Sequence, residues 1–217
     1  MRRRPNLVRS EKLPPEPRQR RSREKRARLQ DAALALFYVH GYERTSIEDI
    51  AKRANLATGT FYQHYRSKRQ LLLVLMEDLL TAMSRLNLQP GPGGHPRALL
   101  RDLLERAFTA DQRYLGAYRA WREAMLSDPQ LARDWRGIRS WTTQRIVALL
   151  TLLQQWPGAR QDVAIPPLAE VVDTLGWSLL DKPASMSQEQ VNARIDAATD
   201  LIYHAVFLDA PKHRGAH

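Results

Sequence analysis

"NLATGTFYQHYRSK", residues 55–68, sets a glycine between two threonines and follows it with three aromatic residues and a histidine. The segment offers hydroxyls, rings and cations with little apolar bulk, so it does not read as ordinary core. Its neighbours explain it. Upstream, "TSIE" at 45–48 predicts a capping box in which the Thr45 hydroxyl accepts from the Glu48 amide and the Glu48 side chain reaches back. Ile47, Ile50, Ala51 and Ala54 then mark the buried stripe of a helix ending near Asn55. Downstream, "SKRQ" at 67–70 predicts a second capping box, opening a helix whose Leu71, Leu72, Leu75 and Leu79 face inward. The space between holds one short helix and a tight turn.

A preceding helix is predicted over residues 22–40, where Leu29, Ala32, Ala33, Leu36 and Phe37 recur at helical spacing and Gly41 takes the left-handed C-cap position. Two short helices joined by a tight turn, with a third packed across them, form a helix-turn-helix. The second helix of that motif must present hydrogen-bonding groups to DNA, which answers the oddity of the opening segment. Phe61 and Tyr65, four apart, are the expected inward anchors, and Thr58, Gly59, Thr60 and Gln63 face out. Threonine hydroxyls can bond base edges, their methyls can touch thymine methyls, and Gln63 can pair with adenine. Gly59 lets the backbone approach the groove. Tyr62, His64 and Lys68 suit phosphate oxygens, as do the amides that open the helix at Thr45. On composition alone, a plain helical hairpin with an aromatic core remains the alternative.

The net charge of +11 is concentrated. Residues 1–30 hold twelve Lys/Arg against three Asp/Glu, residues 31–70 hold six against four, and residues 71–217 hold sixteen of each. An electrostatic footprint concentrates charge in this way, whereas a general solubility role spreads it. Hydrophobic residues make up 43% of the 217, enough to build a packed core, and there is no cysteine, which excludes a disulfide framework and a thiol switch. The apolar runs "LLLVLM" at 71–76 and "ALLTLL" at 148–153 are far shorter than the roughly 18 residues of a membrane span. No apolar segment follows the Arg-rich start, so a secretory signal is not expected and the localisation read from the sequence is cytoplasmic. Gly-x-Ser-x-Gly, P-loop and His-Glu-x-x-His patterns are absent, so no enzymatic activity, cofactor or metal is expected.

"GYERTSIEDIAKRANLATGTFYQHYRSKRQLL" resembles the DNA-binding region of TetR-family transcriptional regulators, and the resemblance spans residues 25–72. It implies that Thr45 and Ser46 start the helix that buttresses the DNA backbone. Thr58, Gly59 and Thr60 then take base-reading positions, and Tyr62, His64 and Lys68 take phosphate-contacting ones. Ala57 stands where the family often has a serine N-cap. Asn55 replaces a common glycine at the turn, where asparagine tolerates the left-handed conformation. His64 holds a position usually given to tyrosine.

The expected fold class is all-α, a three-helix DNA-binding domain followed by a helical ligand-binding and dimerisation domain. The expected boundaries are a disordered basic arm at 1–21, the helix-turn-helix domain at 22–68, the effector and dimerisation domain at 69–210 and a disordered tail at 211–217. Helices are predicted at 69–88, 96–111, 112–127, 129–156, 167–181 and 188–209, with "QPGPGGHP" at 89–96 as a loop, Pro166 and Pro167 starting the penultimate helix and "SQEQ" at 187–190 capping the last. In the last two helices, Leu168, Val171, Val172, Leu175 and Leu179, then Val191, Ile195, Ala198, Ile202, Ala205 and Val206, form broad apolar stripes. Ordinary core packing accounts for part of this surface, and the resemblance implies a dimer interface of four helices. Phe108, Tyr114, Tyr118, Trp121, Met125, Trp135, Trp141 and Trp177 are candidates for a large, mostly apolar effector pocket, against the plainer reading of an aromatic core. The expected partners are double-stranded operator DNA, a second copy of the chain and a small apolar effector, with no membrane. The basic arm is expected to lie along phosphates or reach a minor groove. A basic architectural DNA-binding protein with little sequence preference is the alternative function, and a ligand-free structural dimer a more distant one.

Overall fold

The computed structural model describes residues 3–15, 18–86, 95–179 and 186–207. All the regular elements among these are helices, α1 (Arg20–His40), α2 (Ile47–Arg53), α3 (Thr58–His64), α4 (Lys68–Arg85), α5 (Pro96–Gln112), α6 (Leu115–Ala124), α7 (Pro129–Gln154), α8 (Ile165–Leu179) and α9 (Gln188–Val206). The all-α reading holds, and so do the positions of its helices to within a few residues. No helix among the described residues is long and apolar enough to cross a membrane. The expected loop at 89–96 and the tail at 211–217 fall mostly or wholly outside the described residues.

The helices group into two compact units whose membership is not contiguous in sequence. One contains residues 3–85 with 109–138, and the other residues 86–108 with 139 onward. The expected division at residue 68 is therefore corrected, because α4, α6 and the start of α7 belong with the helix-turn-helix. The physical cause is the way α6 lies along α1 in the same direction. Arg113 pairs with Asp31 at 3.1 Å, and the Arg119 guanidinium donates to the Tyr38 carbonyl at 2.6 Å. Glu123 accepts from the Tyr42 amide at 2.7 Å. Between these rungs Gly116 meets α1 so closely that a Cβ there would overlap the Leu34 carbonyl oxygen. This glycine in the first turn of α6 permits a backbone contact that no other residue allows. α4 fills the centre of the unit. Leu71 to Met76, Leu79 and Leu80 are all buried, so this helix is apolar nearly all round, as an interior helix must be.

The N-terminal segment departs from the expected disordered arm. Residues 3–15 lie against α4: Leu7 is 6% exposed, its amide donates to Glu77 at 2.9 Å, and Arg4 pairs with the same carboxylate at 2.6 Å. Glu11 pairs with Arg69 at 2.7 Å, and Arg69 also holds Asp128 at 2.7 Å. Four prolines and many cations suggested an unstructured segment, but one apolar side chain and two carboxylates are enough to dock it.

In the second unit, Leu100 of α5, Leu150 and Leu153 of α7, Ile165, Ala169 and Val172 of α8, and Ile202 and Val206 of α9 form a buried cluster closed by Phe207. Arg97–Asp200 at 2.7 Å and Arg101–Asp196 at 2.8 Å tie α5 to α9. Asp173, only 2% exposed, accepts from Arg139 at 2.8 Å, from Thr143 at 3.1 Å and from the Trp177 indole at 3.1 Å. Burial raises its pKa and these partners oppose the shift. α8 begins at Ile165, one residue before the expected proline start, and Ser187 and Gln190 form the capping box expected for α9.

The apolar stripe read on α9 is corrected as an interface. Val191, Ile195, Ala198, Ile202 and Val206 are each less than a tenth exposed within the single chain, and Ala205 is half-buried. Helical periodicity finds the face that packs on the chain's own core, and the outward apolar residue of α9 is Leu201, 53% exposed. On α8, Val172 likewise belongs to the core, Leu168 and Leu175 are half-buried and Val171 is 59% exposed. The side chain of Leu179 lies outside the described residues.

The docked arm can be tested in isolation from any function. Leu7→Ala removes its one buried apolar anchor, so we expect the thermal midpoint to fall by a few degrees and trypsin to cleave at Arg9 faster than in the wild type. Unchanged cleavage and an unchanged midpoint would show that residues 3–15 are not held.

Candidate nucleic-acid interface

α2 is opened by Ser46, not Thr45. The Ser46 hydroxyl accepts from the Asp49 amide at 3.0 Å, and the Asp49 carboxylate accepts from the Ser46 amide at 3.1 Å, so the capping box sits one residue later than expected. The Ser46 hydroxyl, donating at 2.6 Å, and the Ser46 amide hold the Asp49 carboxyl below the usual carboxylate range. Thr45 is 1% exposed and its hydroxyl donates to the Gly41 carbonyl at 2.7 Å, which removes it from any external contact. After α2, Asn55 adopts φ 52°, the left-handed conformation expected at the turn. The Arg28 guanidinium from α1 donates to the carbonyls of Ala54 and Asn55, the latter at 3.0 Å.

α3 follows with Ala57 at its N-cap and no side-chain bond there. A seven-residue helix is far below the roughly 12–15 residues needed for marginal stability alone, so packing must hold it. Phe61 and Tyr65 do so, both 0% exposed with ring centroids 5.7 Å apart. Burying each contributes about 2–3 kcal/mol. The Tyr65 hydroxyl accepts from Arg26 at 3.2 Å, and burial pushes its pKa up to about 12. With that side committed, the outer face carries Gly59, Tyr62 and Gln63 exposed, and Thr58 and Thr60 half-exposed. An added Cβ at Gly59 meets nothing within 4 Å, so the fold does not require this glycine.

Two expected phosphate-contacting residues are placed elsewhere. His64 is 7% exposed, with its Nε2 buried and without a hydrogen-bond partner among the described residues. Burial lowers its pKa, and Arg26 and Lys25 add repulsion. Lys68 is half-buried at the start of α4, where its ammonium donates to the carbonyls of Tyr42 at 2.6 Å and Thr45 at 2.8 Å and lies 4.2 Å from the Tyr42 ring centroid. It holds the loop between α1 and α2. A lysine and a histidine near an exposed helix suggested phosphate contacts because sequence spacing carries no information on which way the chain turns after His64. What sequence reading missed is the outer face of α1, where Arg21, Arg23 and Lys25 are exposed next to the half that Arg26 and Arg28 bind to α3 and its turn. The charge census covered residues 1–30, but a DNA contact was expected only of the arm at 1–21 and none of the cations of the first helix.

The aromatic residues proposed for a pocket divide between the two units. Tyr114, Tyr118, Trp121, Met125 and Trp135 fall in the first, with the Tyr118 and Trp135 rings 5.8 Å apart and Trp121 wholly buried, its indole N–H without a partner among the described residues. Phe108, Trp141 and Trp177 fall in the second, where Arg145 lies 5.2 Å from the Trp141 ring centroid and Trp177 is bonded to Asp173.

Residues 29–75, which hold all of this helix-turn-helix, match the family described as bacterial regulatory proteins, tetR family. The DNA-binding region of this chain carries the TetR-family domain. Over 91 residues this chain is 33% identical to the HTH-type transcriptional repressor KstR of Rhodococcus jostii, a match covering 42% of each protein. It is 25% identical over 179 residues to the HTH-type transcriptional regulator EthR of Mycolicibacterium smegmatis, covering 79% of this chain and 82% of that one. Among solved structures, the ketosteroid transcriptional regulator KstR2 of Mycobacterium tuberculosis superposes with a TM-score of 0.65 at 17% identity, over 85% of this chain and 96% of that one. At that identity the likeness speaks for the fold alone. The relatives named here are a transcriptional repressor and a transcriptional regulator.

His64 yields a pH prediction. Its folded pKa lies below the unfolded value near 6.5, so the folded state binds its proton less readily. The stability this leaves is present above that value and lost as pH falls through it. We expect His64→Gln to flatten the decline of the urea midpoint between about pH 7 and 5. An identical decline in both proteins would place the acid sensitivity elsewhere.

Proposed function

We propose that this protein is a sequence-specific DNA-binding transcriptional repressor that acts as a homodimer and responds to a small apolar effector. The observation that carries the DNA-binding part is the division of α3 into a buried aromatic side, Phe61 and Tyr65, and an outer face of Thr58, Gly59, Thr60, Tyr62 and Gln63. That face offers hydroxyls, an amide and an approachable backbone to the major groove, where each base pair has its own donor and acceptor pattern. Thr60 and Gln63 are assigned base edges. Tyr62, Ser46 at the amide-rich start of α2, and the exposed cations of α1 are assigned phosphates. Phosphate contacts fix register and base contacts supply choice. This also favours the repressor over an architectural DNA-binding protein, which needs the cations but not a shaped polar face.

A single α3 reads only one half-site, so the function requires two copies. Val171 and Leu201, large apolar residues left exposed on α8 and α9, support that pairing. Support for the effector comes from Trp121, whose buried indole N–H has no acceptor among the described residues. A mostly apolar ligand carrying one carbonyl or hydroxyl oxygen would complete it.

Gly59→Ala tests the interface without disturbing the fold. Alanine is the better helix former by about 1 kcal/mol and has open space here, so the thermal midpoint should hold or rise. Binding to a duplex selected from a random pool by the wild-type protein should weaken at least tenfold, measured in competition with bulk DNA. Undiminished specific binding would remove α3 from the groove.

The pairing is tested by Val171→Glu and Leu201→Glu, for which light scattering should give about 25 kDa in place of twice the chain's 25.0 kDa. A wild-type protein that is monomeric at micromolar concentration would sink the homodimer.

A further inference from the structure

We propose that Glu123 on α6, a residue outside the helix-turn-helix, is a positioning residue for DNA recognition, acting by clamping the turn between α1 and α2. The proposal rests on the DNA-binding reading above. Its basis is the treatment of the peptide groups in residues 41–45. The two carboxylate oxygens of Glu123 accept from consecutive amides, Oε2 from Tyr42 at 2.7 Å and Oε1 from Glu43 at 3.1 Å. From another side the Lys68 ammonium takes the carbonyls of Tyr42 and Thr45, and the Thr45 hydroxyl takes the carbonyl of Gly41. The turn is thus held through its N–H groups by an acid and through its C=O groups by an amine. Bonds to charged partners are roughly twice as strong as neutral ones.

The space is as specific as the charge. Gly41 is buried at φ +82°, and a Cβ on it would overlap Glu123 Oε2. The backbone that carries this carboxylate is set along α1 by the Gly116 contact with Leu34 and by Arg119 on Tyr38. Immediately after the clamped turn comes Ser46, the N-cap of α2, and α2 carries the turn into α3. The orientation of the reading face is therefore referred to α6 through one side chain some eighty residues away in sequence. Glu123 touches no base or phosphate in this scheme. Without it, α3 remains folded on Phe61 and Tyr65, but α2 and the turn sample a wider range, and misplacement of hydrogen-bonding groups costs specific contacts before it costs charge attraction.

The test uses the full chain with Glu123→Gln, Glu123→Ala, Gly41→Ala and the double variant Gly41→Ala/Glu123→Ala. Glutamine keeps the shape but turns one acceptor into a donor that faces an amide. At a temperature well below unfolding, we expect Glu123→Gln to lose tenfold or more in affinity for the duplex selected by the wild-type protein. Affinity for bulk DNA and the slope of log affinity against log salt should stay unchanged, since no phosphate contact is removed. Gly41→Ala should cost less specific affinity in the Glu123→Ala background than in the wild type, because the group it collides with is gone. Hydrogen exchange at the Tyr42 and Glu43 amides should rise in Glu123→Gln, and α3 amides should follow. Wild-type affinity in both Glu123 variants, or unchanged exchange at Tyr42 and Glu43, overturns the clamp. A wild-type protein that selects no sequence overturns the DNA-reading assignment instead, and the exchange measurement still decides whether Glu123 holds the turn.

Discussion

The structure depends first on the burial of Phe61 and Tyr65 beneath a helix too short to stand alone. Everything polar about α3 is permitted by those two rings. They bind its inner side so firmly that the outer side needs no apolar residue, and threonine, glycine and glutamine can occupy it. The cost of an unfavourable N-cap at Ala57 and of a glycine in the first turn is met by this packing and by Arg26 and Arg28, which reach from α1 to the Tyr65 hydroxyl and to the carbonyls of the turn.

Charge follows a similar division of labour. In the second unit the ion pairs Arg97–Asp200, Arg101–Asp196 and Arg139–Asp173 cross between helices, and acid balances base. In the first unit some cations are internal and some are not. Arg4, Arg69 and Lys68 are spent on Glu77, on Glu11 and Asp128, and on backbone carbonyls, while Arg21, Arg23 and Lys25 lie on the surface. Exposed cations contribute little to stability even where they are paired, about 0–1 kcal/mol each. An excess of outward cations on one face is therefore better understood as a field for a polyanion than as a support for the fold.

α6 shows how a unit is assembled from distant segments. Its rungs at Leu34, Tyr38 and Tyr42 recur every four residues, so one face of a straight helix can make them, and Arg113 just before α6 adds the pair with Asp31. The last rung reaches past the end of α1 and captures the turn. No local pattern in residues 111–127 announces this, because Gly116, Arg119 and Glu123 are unremarkable in a helix until the partner is known.

What the sequence alone determined was local: the helices, because their signals are periodic and short-range; the left-handed turn at Asn55; the capping box of α9; and the inward and outward sides of α3, because Phe61 and Tyr65 are the only large rings at an anchor spacing. The resemblance over residues 25–72 added the family. Tertiary structure decided whatever required knowing what lies opposite. It buried Thr45 and His64, turned Lys68 onto carbonyls, docked the N-terminal segment on Glu77 and Arg69, and made the stripe of α9 a core face that leaves Leu201 outside. Periodicity tells which residues of a helix share a side. It does not tell whether the chain itself or another molecule covers that side, since both remove the same apolar area from water at the same free energy per unit area.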